Sequence, residues 1–267
     1  MIHTMRGMSA RFARVLLLIS AATAIATLSS LAAAQTVSDN TFLNTDWSLT
    51  QFTAGNGGSS TATQALSGGN PGAFRNVTDV LNAAPAGGLE TIVLSTSIYT
   101  PFTYTPSVSG AIASINYSED HACTAGCFGN GQSTGPALKQ GANLYILSSS
   151  LPITGPALTW APLVLNGLTA ADFGLVNVTS GGAIFDNTQH PDFSASAAPI
   201  QVGFFRANGT FGAGYTLSAG IDNWQVTVTA AAPPAAFTPV PTLSEWALML
   251  LAIAVALTGF ASTRRWR

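Results

Sequence analysis

From residue 35 to residue 239, no window longer than about ten residues keeps an apolar period of 3.6. Short alternating or β-branched runs recur instead, bounded by clusters of Gly, Pro, Asn and Ser. Strands are predicted near Trp47–Phe52, Ala62–Leu66, Thr91–Tyr99, Ala111–Tyr117, Ala142–Ser148, Leu158–Leu165, Ile200–Arg206 and Gly220–Thr229. The breakers between them include Gly55-Asn56-Gly57-Gly58, Gly68-Gly69-Asn70-Pro71-Gly72, Pro85-Ala86-Gly87-Gly88 and Ser180-Gly181-Gly182. Leu168–Phe173 reads as a single helical turn. So many strands without crossover helices predict an all-β chain: one antiparallel β-sandwich, jelly-roll-like, over residues 35–229.

The last of these strands fixes a face. In Ile221–Val228, the apolar Trp224, Val226 and Val228 share one side, while Asn223, Gln225 and Thr227 share the other. These three apolar residues are expected in the core, on a strand that pairs near the start of the domain. Counting back from Trp224 puts Asp222 on the core parity, where an unpaired carboxylate is costly. Three explanations stand for it: solvent beyond the sheet edge, the cap of a turn, or the ligation of a structural cation such as calcium.

Charge is sparse and unevenly placed. Only 7% of the chain is charged, and the formal net charge is −2. Residues 1–34 carry Arg6, Arg11 and Arg14 with no acid, whereas residues 35–239 set Arg75, Lys139 and Arg206 against ten carboxylates. A domain with three cations cannot track phosphates, so nucleic acid is excluded as a partner.

Both ends read as addresses. A basic stretch to Arg14, an apolar run from Val15 to Leu31 and the small residues Ala32-Ala33-Ala34 have the order of a secretory signal peptide, residues 1–34. Signal peptidase is expected to cut after Ala34, between the Ala32/Ala34 pair and Gln35. At the other end, residues 230–239 form a Pro/Ala linker, extended and unfit for a central strand. Beyond it lie Val240-Pro241-Thr242-Leu243, Trp246, an uncharged stretch to Ala261, and Arg264-Arg265-Trp266-Arg267. A transmembrane helix is expected at about 246–262, with Trp246 and Trp266 at the interfaces. Arg264, Arg265 and Arg267 form the stop on the cytoplasmic side of the inner membrane.

The Pro-Thr-Leu-x-x-Trp run, the single apolar helix and the terminal arginines resemble the IPTL-type C-terminal sorting signal of Gram-negative bacteria. That signal is a relative of the PEP-type signals handled by exosortases. Val240 stands where the family usually has Ile, and Ala247 where a Gly commonly follows the Trp. The resemblance implies an exosortase-like sorting enzyme as a partner and display at the cell surface or in the extracellular matrix. The Gly220-Ile221-Asp222-Asn223-Trp224 run is similar to the closing strand of carbohydrate-binding and laminin-G-like jelly rolls. Phe42, Trp47 and the Gly69–Gly72 turn are similar to ectodomains that accompany exosortase signals. This second resemblance implies fold, with a glycan as the candidate ligand.

Chemistry is thin between the ends. Gly131-Gln132-Ser133-Thr134-Gly135 is a literal G-x-S-x-G, followed by Asp172 or Asp186 and by His190 in hydrolase order. Its neighbours, Cys127–Asn130 and Pro136, do not suit a strand-to-helix elbow. Glu90 and Glu119 are the domain's only glutamates, and Asp120 faces away from Glu119 along a strand, so no carboxylate pair forms by adjacency. Cys123 and Cys127 are too few and too oddly spaced for zinc, and in an exported chain they are expected to form a disulfide. Tyr99, Phe102, Tyr104, Tyr117 and Trp160 are the aromatic candidates for a sugar platform. The reading is of a non-enzymatic, exported surface protein with no cofactor beyond a structural calcium at Asp222. A secreted hydrolase of polysaccharide or ester substrates is the alternative.

Overall fold

The computed structural model describes residues 33–127, 132–149, 151–232 and 245–264. The chain divides into two units, residues 1–232 and 233–267. Residues 1–32 of the expected signal peptide, Ala32 among them, lie outside the described residues, as do the linker from Pro233, the motif residues Val240–Leu243, and Arg265 and Arg267.

The first unit is built from fourteen described strands in two antiparallel sheets, which form a sandwich as the sequence predicts. The six-stranded sheet contains β1 (Ala34–Asp39), β3 (Gly58–Gly69), β4 (Gly72–Leu81), β6 (Ile112–Ala125), β10 (Ala161–Leu168) and β14 (Tyr215–Ala230). Its order is β10-β6-β14-β4-β3, with β1 also on β14. The eight-stranded sheet contains β2 (Trp47–Ala54), β5 (Thr91–Tyr99), β7 (Gln132–Gln140), β8 (Asn143–Leu147), β9 (Leu151–Ile153), β11 (Phe173–Val176), β12 (Phe185–Asp186) and β13 (Ile200–Thr210). Its order is β12-β11-β8-β7-β13-β5-β2, with β9 on β7. A short helix α1 (Pro106–Ser109) lies between β5 and β6. The helical turn read at 168–173 is a 3-10 turn, Ala170–Asp172, closed by a capping box between Thr169 and Asp172.

Trp224, Val226 and Val228 are buried in the core, and Asn223 and Gln225 on the opposite parity are exposed. The closing strand meets the start of the domain as expected: β1 runs antiparallel to β14 from Ala34↔Thr229 to Asp39↔Trp224. Ala34 and Gln35, the two residues flanking the expected cleavage point, therefore stand on the first rungs of that pairing. Aromatic rings join the two sheets. Trp47 on β2 meets Trp224 on β14 edge-on at 4.9 Å between centroids, and also meets Phe204 on β13 at 5.3 Å. Such pairs add to the burial of the rings themselves.

Two strands change partners partway, and neither change is visible in a strand-by-strand reading. β14 pairs with β4 up to Ile221 and with β1 from Trp224 onward. Against β6 the register slips between Asp222 and Gln225, which inserts one extra residue as a bulge, with Asn223 at φ 49°. β7 pairs with β9 through Thr134 and with β8 from Ala137. Pro136, which has no N–H to donate, falls between the two pairings, so a proline sits in a central strand. Gly135-Pro136 reads as a breaker in sequence, which is why β7 goes unpredicted.

Cys123 and Cys127 form a disulfide, as expected, with Cα atoms 5.7 Å apart. Gly126 inside the loop has φ 67°, and a side chain there would collide with Thr216 O. Closing so short a loop contributes about 2 kcal/mol or less, enough to shape the end of β6.

In the second unit the expected apolar segment forms helix α2 (Glu245–Arg264). As a correction to the predicted span at 246–262, no helix among the described residues is long and apolar enough to cross a membrane. Its uncharged stretch, 246–263, rises ~27 Å, short of a ~30 Å hydrocarbon core.

Candidate functional site

The bulge in β14 decides the fate of Asp222. The inserted residue breaks the parity count from Trp224, so Asp222 lies opposite Asp120 on β6 and leaves the core face. It is 1% exposed even so, because the β3–β4 turn covers it. Its Oδ2 accepts the Asn70 backbone N–H, and its Oδ1 accepts the Asn223 N–H at 2.7 Å. Asn223 Nδ2 in turn donates to Asn70 O at 2.6 Å and to Asp120 Oδ2 at 2.7 Å. Of the three explanations, the turn cap is the one observed. Among the described residues no group of three or more His, Cys, Asp or Glu is placed to hold a metal ion, so the calcium reading of Asp222 gains no ligand set.

Between the sheets lies a polar layer that sequence reading missed entirely. Glu119 on β6 and Arg206 on β13 are both fully buried side chains, paired across the sandwich at 3.4 Å. Thr134 accepts from Arg206 Nη1 and donates to Glu119 Oε1 at 2.7 Å, while Tyr117 OH donates to Glu119 Oε2. Burial raises the Glu119 carboxyl, but Arg206, His121 and Tyr117 outweigh it and hold its pKa at about 2. Beside this pair, Asp79 on β4 accepts from Gln132 and Asn208, each at 2.7 Å. Here burial prevails over its partners and raises the pKa. These groups are sealed in the interior, which makes them structural.

The outer face of the eight-stranded sheet carries a cleft. Ala207 pairs with Ser133 on β7 and with Leu94 on β5, and Gly209 pairs with Ile92, so these residues share a face turned away from Arg206 and Asn208. Over that floor lies a cleft of about 910 Å3, lined among others by Glu90, Ser133, Ser148, Thr154, Phe185 and Asn208. The segment Gly182–Phe185 and the end of β9 form its walls. Among the described residues Ser148 Oγ and Asn208 Oδ1 find no hydrogen-bond partner. Phe185 packs over Gly174, where a Cβ would meet its ring at 2.8 Å.

The residues singled out in sequence for chemistry do not assemble. Ser133 stands inside β7, paired with Ala207 and Pro152, and not on a strand-to-helix turn. His190 is exposed and its ring shares a 2.7 Å hydrogen bond with Phe173 O. Asp172 caps the 3-10 turn, and Asp186 accepts from Thr188 and Gln189. Among the described residues no hydrogen bond joins Ser133 to His190. The aromatic candidates are also spent on packing. Tyr104 and Tyr117 are buried, Tyr99 leans on Trp47, and Trp160 stands edge-on to Phe74 with its N–H on Gly68 O. Glu90 and Phe185 take their place at the cleft. Neither is legible as a site residue, because Glu90 arrives on a loop and Phe185 on the two-residue β12, and the course of both depends on the sheet beneath.

The chain is an all-β sandwich carrying a C-terminal sorting signal. An IPTL-CTERM motif occupies residues 238–265, which include Pro241, Thr242, Leu243, Trp246, Arg264 and Arg265. No curated protein sequence matches the chain significantly. Among solved structures it is similar to the family 11 carbohydrate-binding module of the cellulosomal cellulase Lic26A-Cel5E of Clostridium thermocellum. Identity is 10% and the TM-score 0.40, over 76% of this chain and 98% of that one. It is also similar to the CBM22-1 xylan-binding domain of Paenibacillus barcinonensis Xyn10C, at 8% identity and a TM-score of 0.38, again over 76% and 98%. Likeness at this level carries no weight for ligand or chemistry.

Proposed function

We propose that this is an exported surface protein whose sandwich binds a glycan in the outer cleft of the eight-stranded sheet, without catalysis. The observation that supports this reading is the lining of the cleft. Phe185 lines the cleft together with Ile92, Ala207 and Gly209, and hydroxyls are supplied by Ser133, Ser148 and Thr154. A sugar presents an apolar ring face and a rim of hydroxyls, and a concave site with one stacking ring and a few placed polar groups complements both. Against the hydrolase alternative, Glu90 is the one carboxylate of the cleft among the described residues, and His190 bonds Phe173 O instead of Ser133.

In the same proposal, signal peptidase releases the chain after Ala34. The α2 segment then holds it briefly at the inner membrane. An exosortase-like enzyme reads Pro241-Thr242-Leu243 at the outer interface. The test is a glycan array with the full chain in mild detergent, in parallel with Ser133→Tyr on the floor and Thr154→Trp at the exposed rim. Binding that both variants abolish supports the cleft. Binding that both leave intact, or no binding to any glycan, overturns it.

A further inference from the structure

Among the described residues Glu90 is the one charged residue lining the cleft, and its carboxylate is positioned by glycines on two sides. A Cβ at Gly209 would collide with Glu90 Oε1, and one at Gly182 would lie 3.1 Å from Oε2. The backbone is tied down as well, since Glu90 N–H donates to Ser180 O at 3.0 Å. The side chain is therefore laid between β13 and the Ser180–Gly182 segment, where any larger residue would displace it. Burial raises its pKa, with no compensating partner. Among the described residues no hydrogen-bond donor or cation pairs with the carboxylate.

Among the described residues, Arg75 and Arg206 are buried in the sandwich, and the cleft lining contains no Lys, Arg or His. A partly desolvated carboxylate without a counter-charge repels uronates and sulfate esters, and gains most from a cation that brings its own donors.

We infer that the cleft selects polysaccharides bearing free amino sugars, with Glu90 pairing the sugar ammonium while the hydroxyl-bearing residues of the walls hold the ring. This rests on the glycan-binding reading above and specifies its ligand class. A sugar ammonium is preferred to an N-acetylated sugar because acetylation removes both the charge and two of the three N–H donors. The hydroxyls distinguish it from a lysine side chain, which has the charge without the ring.

The experiment is calorimetric titration of the full chain in mild detergent with glucosamine hexamer, N-acetylglucosamine hexamer, polygalacturonate and polylysine. The glucosamine hexamer should bind about tenfold or more tightly than the N-acetylated one, the scale of one charge-assisted hydrogen bond. Polygalacturonate should not bind, and polylysine should bind about tenfold more weakly than the glucosamine hexamer. Glu90→Gln keeps the shape and removes the charge. It should cancel the preference for glucosamine, bringing the two hexamers to the same affinity. Equal affinity for the two hexamers, a preference that survives Glu90→Gln, or polylysine binding as tightly as glucosamine would each overturn the inference. Binding of neutral glycans without any amine preference defeats the inference alone, whereas no binding to any glycan defeats the cleft reading beneath it.

Discussion

Replacing Arg206 by Met should destabilise the sandwich far more than the loss of a surface charge would. Both side chains of the Arg206–Glu119 pair are fully buried, and Arg206 also lies over the Phe204 ring at 4.9 Å. Without the guanidinium, Glu119 keeps only Tyr117 OH, Thr134 OH and His121 as partners. The Glu119 carboxyl is held at about 2 against an ordinary 4.5. At ~1.4 kcal/mol for each tenfold in proton affinity, that corresponds to about 3 kcal/mol of net stabilisation of the ionised form. Stranding that charge gives an expected loss of about 3–5 kcal/mol for Arg206→Met.

The double variant Glu119→Gln/Arg206→Met removes both charges and should recover most of the loss, ending within about 2 kcal/mol of the parent. The pH dependence has a definite sign. Because the folded-state pKa is depressed, the stabilisation is complete above about 4.5 and disappears as pH falls towards about 2. The acid slope of stability should therefore flatten in the double variant. Equilibrium urea unfolding followed by tryptophan fluorescence measures all of this. Arg206→Met within about 1 kcal/mol of the parent, or a double variant no more stable than the single one, would refute the reasoning.

Two further outcomes are expected. Asp79→Asn should stabilise the protein by about 1 kcal/mol at neutral pH, since an amide can keep the bonds from Gln132 and Asn208 and give Ser60 Oγ the partner it lacks. Asp79 has a raised folded-state pKa, so its contribution falls as pH rises above 3.8, and the advantage of the variant should shrink in acid; a loss of stability at neutral pH would contradict this. In the surface-extracted protein, intact-mass analysis should find a chain that begins at Gln35 and ends near Pro241, and a mass that still includes residues 243–267 would leave α2 as a lasting anchor.

Strand existence was legible wherever alternation was clean. β5 occupies Thr91–Tyr99 as predicted, and the Trp224-Val226-Val228 face is the core face. It failed where a strand exchanges neighbours. Gly135-Pro136 looks like a turn because a proline cannot serve a continuous ladder, yet it is tolerated where β7 passes from β9 to β8. The same kind of exchange at Asp222-Asn223 inserts a bulge, and a single added residue reverses every parity inferred across it. The candidate site was less legible still. Ser133 drew attention as a nucleophile and lies on the cleft floor, whereas Glu90 and Phe185 carried no pattern at all.

By itself, then, the sequence determined the all-β class, the buried face of the closing strand, the Cys123–Cys127 bond and the C-terminal sorting motif. Each depends on residues close together in the chain, where periodicity, spacing and short motifs act directly. The tertiary structure alone decided that Glu119 meets Arg206 across 87 residues, and that Asp222 caps a turn 152 residues away. It likewise decided that Glu90 lies between Gly209 and Gly182 without a counter-charge. Those outcomes depend on strand register and partner exchange, and register is set by the packing of whole sheets against one another.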